Sequence, residues 1–166
     1  MEEGLRICVL TLSTRASRGE SEDTSGPALC GLVKELGWQV VYYRILPDDE
    51  KSIEKELIRI SDEIKPDVIL TLGGTGLSPT DVTPDATKKV ITKLVPGIAE
   101  AIRYKSLEKT DRAMLSRGIS GTRGTTLIIN MPGSEKAVRE SFEIVCSTLP
   151  HASEIIKGQV KDCGRG

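Results

Sequence analysis

Gly73, Gly74, Thr75 and Gly76 stand together directly after an apolar run, and Asp81 follows shortly after them. Glycines let a backbone take positive φ and turn its N–H groups on an anion with no side chain in the way. Thr75 and Ser78 add hydroxyl donors. A carboxylate such as Asp81 is useful beside a bound phosphate when a divalent cation lies between them. Mg2+ typically takes one or two carboxylates, waters and the oxygens of its substrate. Asp48 and Asp49, behind Pro47, offer a second ligand or an acceptor that orients a reacting hydroxyl or phosphate. Each group also has a plain structural use. A bare GGTG serves as a strand-to-helix turn, Asp81 as a turn cap, and Asp48, Asp49 and Asp23 as openings of helices.

Other chemistries have less to work with. His151 is the only histidine and follows the last amphipathic helix, which disfavours a Ser-His-Asp or Cys-His nucleophile. Cys8, Cys30, Cys146 and Cys163 are scattered and form no CxxC pair, so a zinc site is not expected. The first three read as small reduced core residues. No GK[ST] closes a Walker A loop, and no GxGxxG follows the first strand. What remains is positioning and electrostatic catalysis by backbone amides, carboxylates and a cation, the toolkit of phosphoryl or nucleotidyl transfer.

The elements that must position these residues alternate. Strand patterns cover Arg6–Ser13, Gln39–Leu46, Val68–Leu72 and Thr125–Asn130. Helix patterns carry Leu29, Leu32, Val33 and Leu36 before Gly37, then Ile53, Leu57, Ile60 and Ile64 before Pro66. A third helix should begin at Thr83-Pro84-Asp85 with Thr83 as N-cap, and one or two short helices should fill Pro96–Arg117. Ser134 should cap a long final helix with Val138, Phe142, Val145 and Leu149 inward, and His151–Lys157 should add a further turn. Thr14–Ser25 reads as a polar loop, and Gly118–Arg123 as a short antiparallel edge. The expected fold is a three-layer α/β/α domain with a mostly parallel sheet. Ligands of such sheets sit outside the carboxyl ends of the strands. There the loops at Thr14–Ser25, Pro47-Asp48, Gly73–Asp81 and Pro132–Ser134 converge.

Composition bounds the rest. The 166 residues fit one domain spanning 1–166, with 28% charged residues of interleaved sign and a net charge of −1. Without long basic runs and with only 3% aromatics, nucleic acid is a poor ligand. No apolar stretch approaches the roughly 20 residues of a membrane span, and no signal-like start is visible, so a cytosolic (cytoplasmic) address is expected.

Five stretches carry a resemblance: Leu72–Ala86 (LGGTGLSPTDVTPDA), Ser17–Gly26 (SRGESEDTSG), Leu46-Pro47-Asp48, Leu115-Ser116-Arg117 and Ile129–Ser134 (INMPGS). In this order they resemble the MogA/MoaB family of molybdenum-cofactor biosynthesis proteins, to which the G domain of gephyrin also belongs. The resemblance implies a molybdopterin adenylyltransferase that uses ATP and Mg2+ to transfer AMP to the molybdopterin phosphate, releasing pyrophosphate. It places Asp48 and Asp81 at catalytic and Mg2+-handling positions, and Gly73, Gly74, Thr75, Gly76 and Ser78 on a phosphate-binding loop. Asp23, Pro132, Gly133 and Ser134 fall on other rim segments. It further implies a homotrimer, with a molybdenum-insertion protein as a further partner. Thr14 stands where many members carry Asp or Asn, and the tail after Lys157 is short. Two other readings share these motifs: a pterin-binding or scaffold protein without catalysis, and a CinA-like hydrolase of nucleotide cofactors.

Overall fold

Short runs of β-branched and leucine residues bounded by polar turns become strands here because both sheet faces are covered. The computed structural model describes residues 3–160, so Cys163 lies outside the described residues. Strands β1 (Arg6–Leu12), β2 (Gln39–Leu46), β3 (Val68–Leu72), β4 (Lys93–Leu94), β5 (Ser120–Arg123) and β6 (Thr126–Met131) form one sheet in the order β2-β1-β3-β6-β5-β4. The first four of that order are parallel, whereas β5 pairs antiparallel with β6 and β4 with β5.

The helices are α1 (Thr14–Ser17), α2 (Ser25–Glu35), α3 (Glu50–Arg59), α4 (Thr83–Val90), α5 (Pro96–Leu107), α6 (Glu135–Val145) and α7 (Leu149–Ile156). Alternation along each strand sorts its side chains between two cores. Ile7, Val9, Val68, Leu70, Leu127 and Ile129 face one way and meet Leu29, Val33, Ile102, Val138, Phe142 and Leu149 of α2, α5, α6 and α7. Cys8, Leu10, Ile69 and Ile128 face the other way and meet Ile53 and Leu57 of α3 with Ala86 and Val90 of α4. The result is the expected three-layer sandwich. Among the described residues no helix is long and apolar enough to cross a membrane.

Several details differ from the sequence reading. The segment after β1 is not all loop: Ser13 Oγ accepts from Ala16 N (3.2 Å) and caps α1. Thr83 is the first residue of α4 and not its cap, and its buried hydroxyl has no partner among the described residues. Leu36 is exposed. The third-helix stripe survives, but α3 widens into a π-turn at Ile60–Ile64 before Lys65 turns left-handed (φ 52°). The final helix breaks at a 3-10 turn, Cys146–Thr148, so Leu149 belongs to α7. The antiparallel segment is not the sheet edge, since β4 pairs outside it. Of the cysteines, Cys8 is fully buried and its thiol is pushed up to about 12 by burial, whereas Cys30 and Cys146 are half-buried.

Candidate functional site

The chain runs from β1 outward to β2, then crosses back to β3 on the other side of β1. At that reversal the loops after β1 and β3 diverge and leave a crevice at the carboxyl ends of the strands. Gly73 and Gly74 line it and have φ of +96° and +67°, values costly for other residues. A Cβ on Gly73 would also sit 2.8 Å from the Leu12 carbonyl oxygen, so β1 and the loop pack backbone to backbone.

The crevice is a cleft of about 440 Å³. It brings together Asp48, Asp81, Asp23, Gly73, Gly74, Gly133 and Ser134 from the sequence-derived set. Thr75, Gly76 and Pro132 instead line a neighbouring, mainly apolar crevice of about 400 Å³ with Leu77, Ile102 and Ser116. Ser78 is exposed and lines neither cavity; its amide donates to Asp81 Oδ2 (3.0 Å). Asp49 points elsewhere and caps α3 by accepting from Ser52 N (2.8 Å).

The two principal acids are held alike. Asp48 Oδ2 accepts from Thr14 N (3.0 Å) and Thr14 Oγ1 (3.2 Å), while Asp48 N donates to Thr14 Oγ1 (2.9 Å). Asp81 uses Oδ2 for Ser78 N. Among the described residues neither Asp48 Oδ1 nor Asp81 Oδ1 has a protein partner, so each carboxylate keeps one oxygen for a ligand. Asp23 is committed on both sides. Its Oδ1 accepts from Gly26 N (3.0 Å) at the start of α2, and its Oδ2 accepts from the Tyr43 hydroxyl. Burial, reinforced by that carboxylate, raises the Tyr43 hydroxyl well above its ordinary value and keeps it a donor.

Donors come from the backbone. The amides of Gly74, Thr75, Gly76 and Leu77 have no hydrogen-bond partner among the described residues. The N-terminal residues Ser25 of α2 and Glu135 of α6 line the cleft, and Ser25 Oγ donates to the Gly133 carbonyl (2.7 Å), tying the two ends together. Helix N-termini favour anions. The side chains run the other way: Glu22, Asp23, Asp48, Asp81 and Glu135 line the cleft, and among the described residues no Lys, Arg or His does. A polyanion entering here meets amide dipoles and five carboxylates, and needs a cation between itself and the acids. The donor set fits Mg2+ in the manner of substrate-bridged sites. Two carboxylates each offer one free oxygen, and no group of three or more His, Cys, Asp or Glu side chains forms a protein-only cage among the described residues.

Sequence reasoning missed two residues. Thr14, in sequence only a departure from the family pattern, holds Asp48. Arg117 belongs to the Leu115-Ser116-Arg117 stretch, to which sequence assigns no role, yet its guanidinium bonds to Gly76, Asp81 and Asp85. A lone arginine far along the chain gives no signal of which loop it reaches.

Residues 8–151 match the family described as "Probable molybdopterin binding domain". A molybdopterin adenylyltransferase of Helicobacter pylori is 42% identical over 156 residues, covering 93% of this chain and 89% of that protein. One from Escherichia coli is 38% identical over 84% of this chain and 72% of its own length. The crystal structure of the molybdopterin biosynthesis enzyme MoaB from Thermus thermophilus superposes with a TM-score of 0.87 at 44% identity, covering 93% of this chain and 97% of that one. A CinA protein from Thermoplasma acidophilum, at 18% identity and a TM-score of 0.67, shares the fold alone. By sequence and fold, the chain belongs to the molybdopterin-binding family of molybdenum-cofactor biosynthesis proteins.

Proposed function

We propose that this protein is a molybdopterin adenylyltransferase, the whole chain 1–166 acting as one domain of that kind in the cytoplasm. An oxygen of the pterin's terminal phosphate attacks the α-phosphorus of ATP. A new P–O–P bridge forms, the bond to the β-phosphate breaks, and pyrophosphate leaves with the electron pair. The nucleophile is already an anion, so no general base is required, which suits a cleft whose described lining has no histidine or cysteine.

The observation that carries this reading is the acid-lined cleft that meets a run of free amides at Gly74, the remaining three belonging to residues of the adjoining apolar crevice. Both reactants are anionic, and the protein's task is to hold them together against mutual repulsion. The amides of Gly74–Leu77 and the α2 and α6 N-termini meet phosphate oxygens. Asp48 and Asp81 would hold Mg2+ through their free oxygens, and the ion would supply the positive charge that the side chains lack. The apolar crevice beyond Gly76 offers the flat pterin a wall of Leu77, Ile102 and Pro132, with the hydroxyl of Ser116 as a polar partner. The same reading makes the protein a homotrimer and a donor to a molybdenum-insertion protein.

The test is incubation with molybdopterin, Mg2+ and ATP labelled at the α-phosphate. Label should appear on the pterin, and Asp48→Ala and Asp81→Ala should each lower turnover by about 100-fold or more while keeping the native circular dichroism spectrum. Tight pterin binding with no labelled product would instead establish a binding protein. Wild-type turnover by both variants would remove these acids from the site.

A further inference from the structure

The segment between Gly73 and Thr83 makes few hydrogen bonds to the rest of the described chain. Its ends are tied down, with Gly73 N donating to Met131 O (3.1 Å) and Thr83 N to Gly74 O (3.2 Å). Between them, the Ser78 and Asp81 amides bond only within the segment: Asp81 N donates to Ser78 O (2.9 Å) and Ser78 N to Asp81 Oδ2. Every hydrogen bond from residues 75–81 to the rest of the described chain ends on one residue, Arg117. Its backbone N donates to Thr75 O (2.7 Å), its Nε to Gly76 O (2.9 Å) and its Nη2 to Asp81 O (2.5 Å). The far side of the guanidinium makes a bidentate pair with Asp85 in the first turn of α4, at 3.2 and 3.0 Å. That pair holds the Asp85 carboxyl below the usual carboxylate range.

The arrangement exploits what only arginine has, a rigid planar fork with donors on several edges. Asp85 fixes the plane, and the fixed plane then presents Nε and Nη2 to two carbonyls on either side of the Ser78–Asp81 turn. Those carbonyls have no other donor among the described residues. We propose that Arg117 is a positioning residue that clamps the Thr75–Asp81 segment, with Asp85 as its anchor, so that the Asp81 carboxylate and the free loop amides stay aimed at the ligand. The catalytic consequence rests on the adenylyltransferase reading of Asp81; the clamp itself does not.

Arg117→Lys retains the charge but cannot reach both carbonyls and Asp85 at once. Amide hydrogen exchange is read at Ser78, Asp81 and Thr83, whose N–H groups bond within the segment, and at Val68–Leu72 of β3 as an internal reference. In Arg117→Lys and in Asp85→Asn the three loop amides should exchange about tenfold faster, the effect of losing one charge-assisted bond, with β3 unchanged. Turnover in the labelled-ATP assay should fall about 100-fold through misplacement of the site. Added guanidinium ion should restore part of it to Arg117→Ala. Unchanged loop exchange would overturn the clamp. So would an equal acceleration in β3, because Arg117 would then secure the whole fold. A wild-type protein that adenylylates nothing would end the functional reading, while the exchange comparison would still decide the clamp.

Discussion

Asp48 reaches the cleft with one carboxylate oxygen already occupied by Thr14, and this division of labour sets what each atom can do. A carboxylate held through Oδ2 by a backbone amide and a hydroxyl presents Oδ1 in one orientation, so the rotamer need not be frozen when ligand arrives. Thr14 supplies the hold without adding charge to a cleft that has five acids. Thr14→Val keeps the shape and the backbone donor but removes the hydroxyl. It should lower turnover about tenfold, the worth of one hydrogen bond to a charged group, with Thr14→Ser close to wild type in the labelled-ATP assay. Gly74 is constrained more severely. Any Cβ there would collide with the Thr83 hydroxyl and stand 3.4 Å from Asp48 Oδ1, at a φ of +67°. Gly74→Ala should therefore both destabilise the protein by about 1–3 kcal/mol in thermal unfolding and abolish adenylylation, since the loop cannot relax without moving Asp48 or α4.

At the scale of elements, the strands were legible because burial dictates them. The expected limits of β2 and β3 coincide with the observed ones, and those of β1 and β6 shift by a residue. Local hydrogen bonding decided what sequence patterns could not. Ser13 turns part of a polar loop into α1, and β4 is two exposed residues that exist only by pairing with β5. The site was legible in the same uneven way. Glycines and acids at strand ends could be assigned to one rim, but the split of the glycine loop between two crevices needed the packing of α5 and Pro132. Long-range tethers such as Asn130, whose amide nitrogen donates to Thr71 Oγ1 (3.0 Å) and Thr87 Oγ1 (2.9 Å), leave no local pattern. The attachment of α3 to β2 is another such tether. Glu56 is nearly buried and accepts from the Tyr42 hydroxyl (2.6 Å) and from Arg59 Nε (3.1 Å) and Nη2 (2.8 Å). The Arg59 hydrogen bonds lead in lowering its carboxyl to about 2 from an ordinary 4.5, and burial only partly opposes them. The charged form is favoured in the fold, so this stabilisation is complete above pH 4.5 and is lost as pH falls from there through 2. Glu56→Gln should lower stability at neutral pH by about 2 kcal/mol and flatten the decline of the melting temperature across that acid window, as measured by calorimetry at stepped pH.

For the whole molecule, the acid-lined cleft and an exposed apolar flank lie on different parts of the sheet. The cleft opens at the β1/β3 switch point and is lined from the ends of β1 and β3 and the starts of α2 and α6. The flank built from β4, α5 and the 3-10 turn Asp111–Leu115 has a different character. Leu94, Tyr104, Leu107, Met114 and Leu115 are exposed there, whereas β1, β3 and β6 show water almost nothing. A run of large apolar side chains on one flank is the surface expected to be covered by other copies in the proposed trimer. Sedimentation equilibrium should then give a mass three times the 18.0 kDa of one chain. Tyr104→Asp, which places a charge on that flank, should shift the mass towards a single chain. Because the cleft does not draw on this flank, the monomeric variant should still bind Mg·ATP by calorimetry with an affinity close to that of the wild type. Its pterin affinity should fall, because the apolar crevice shares Leu115 with the assembly surface. A wild type that sediments as one chain, or a dissociated variant that loses nucleotide binding together with pterin binding, would show that assembly and catalysis are not divided across the sheet in this way.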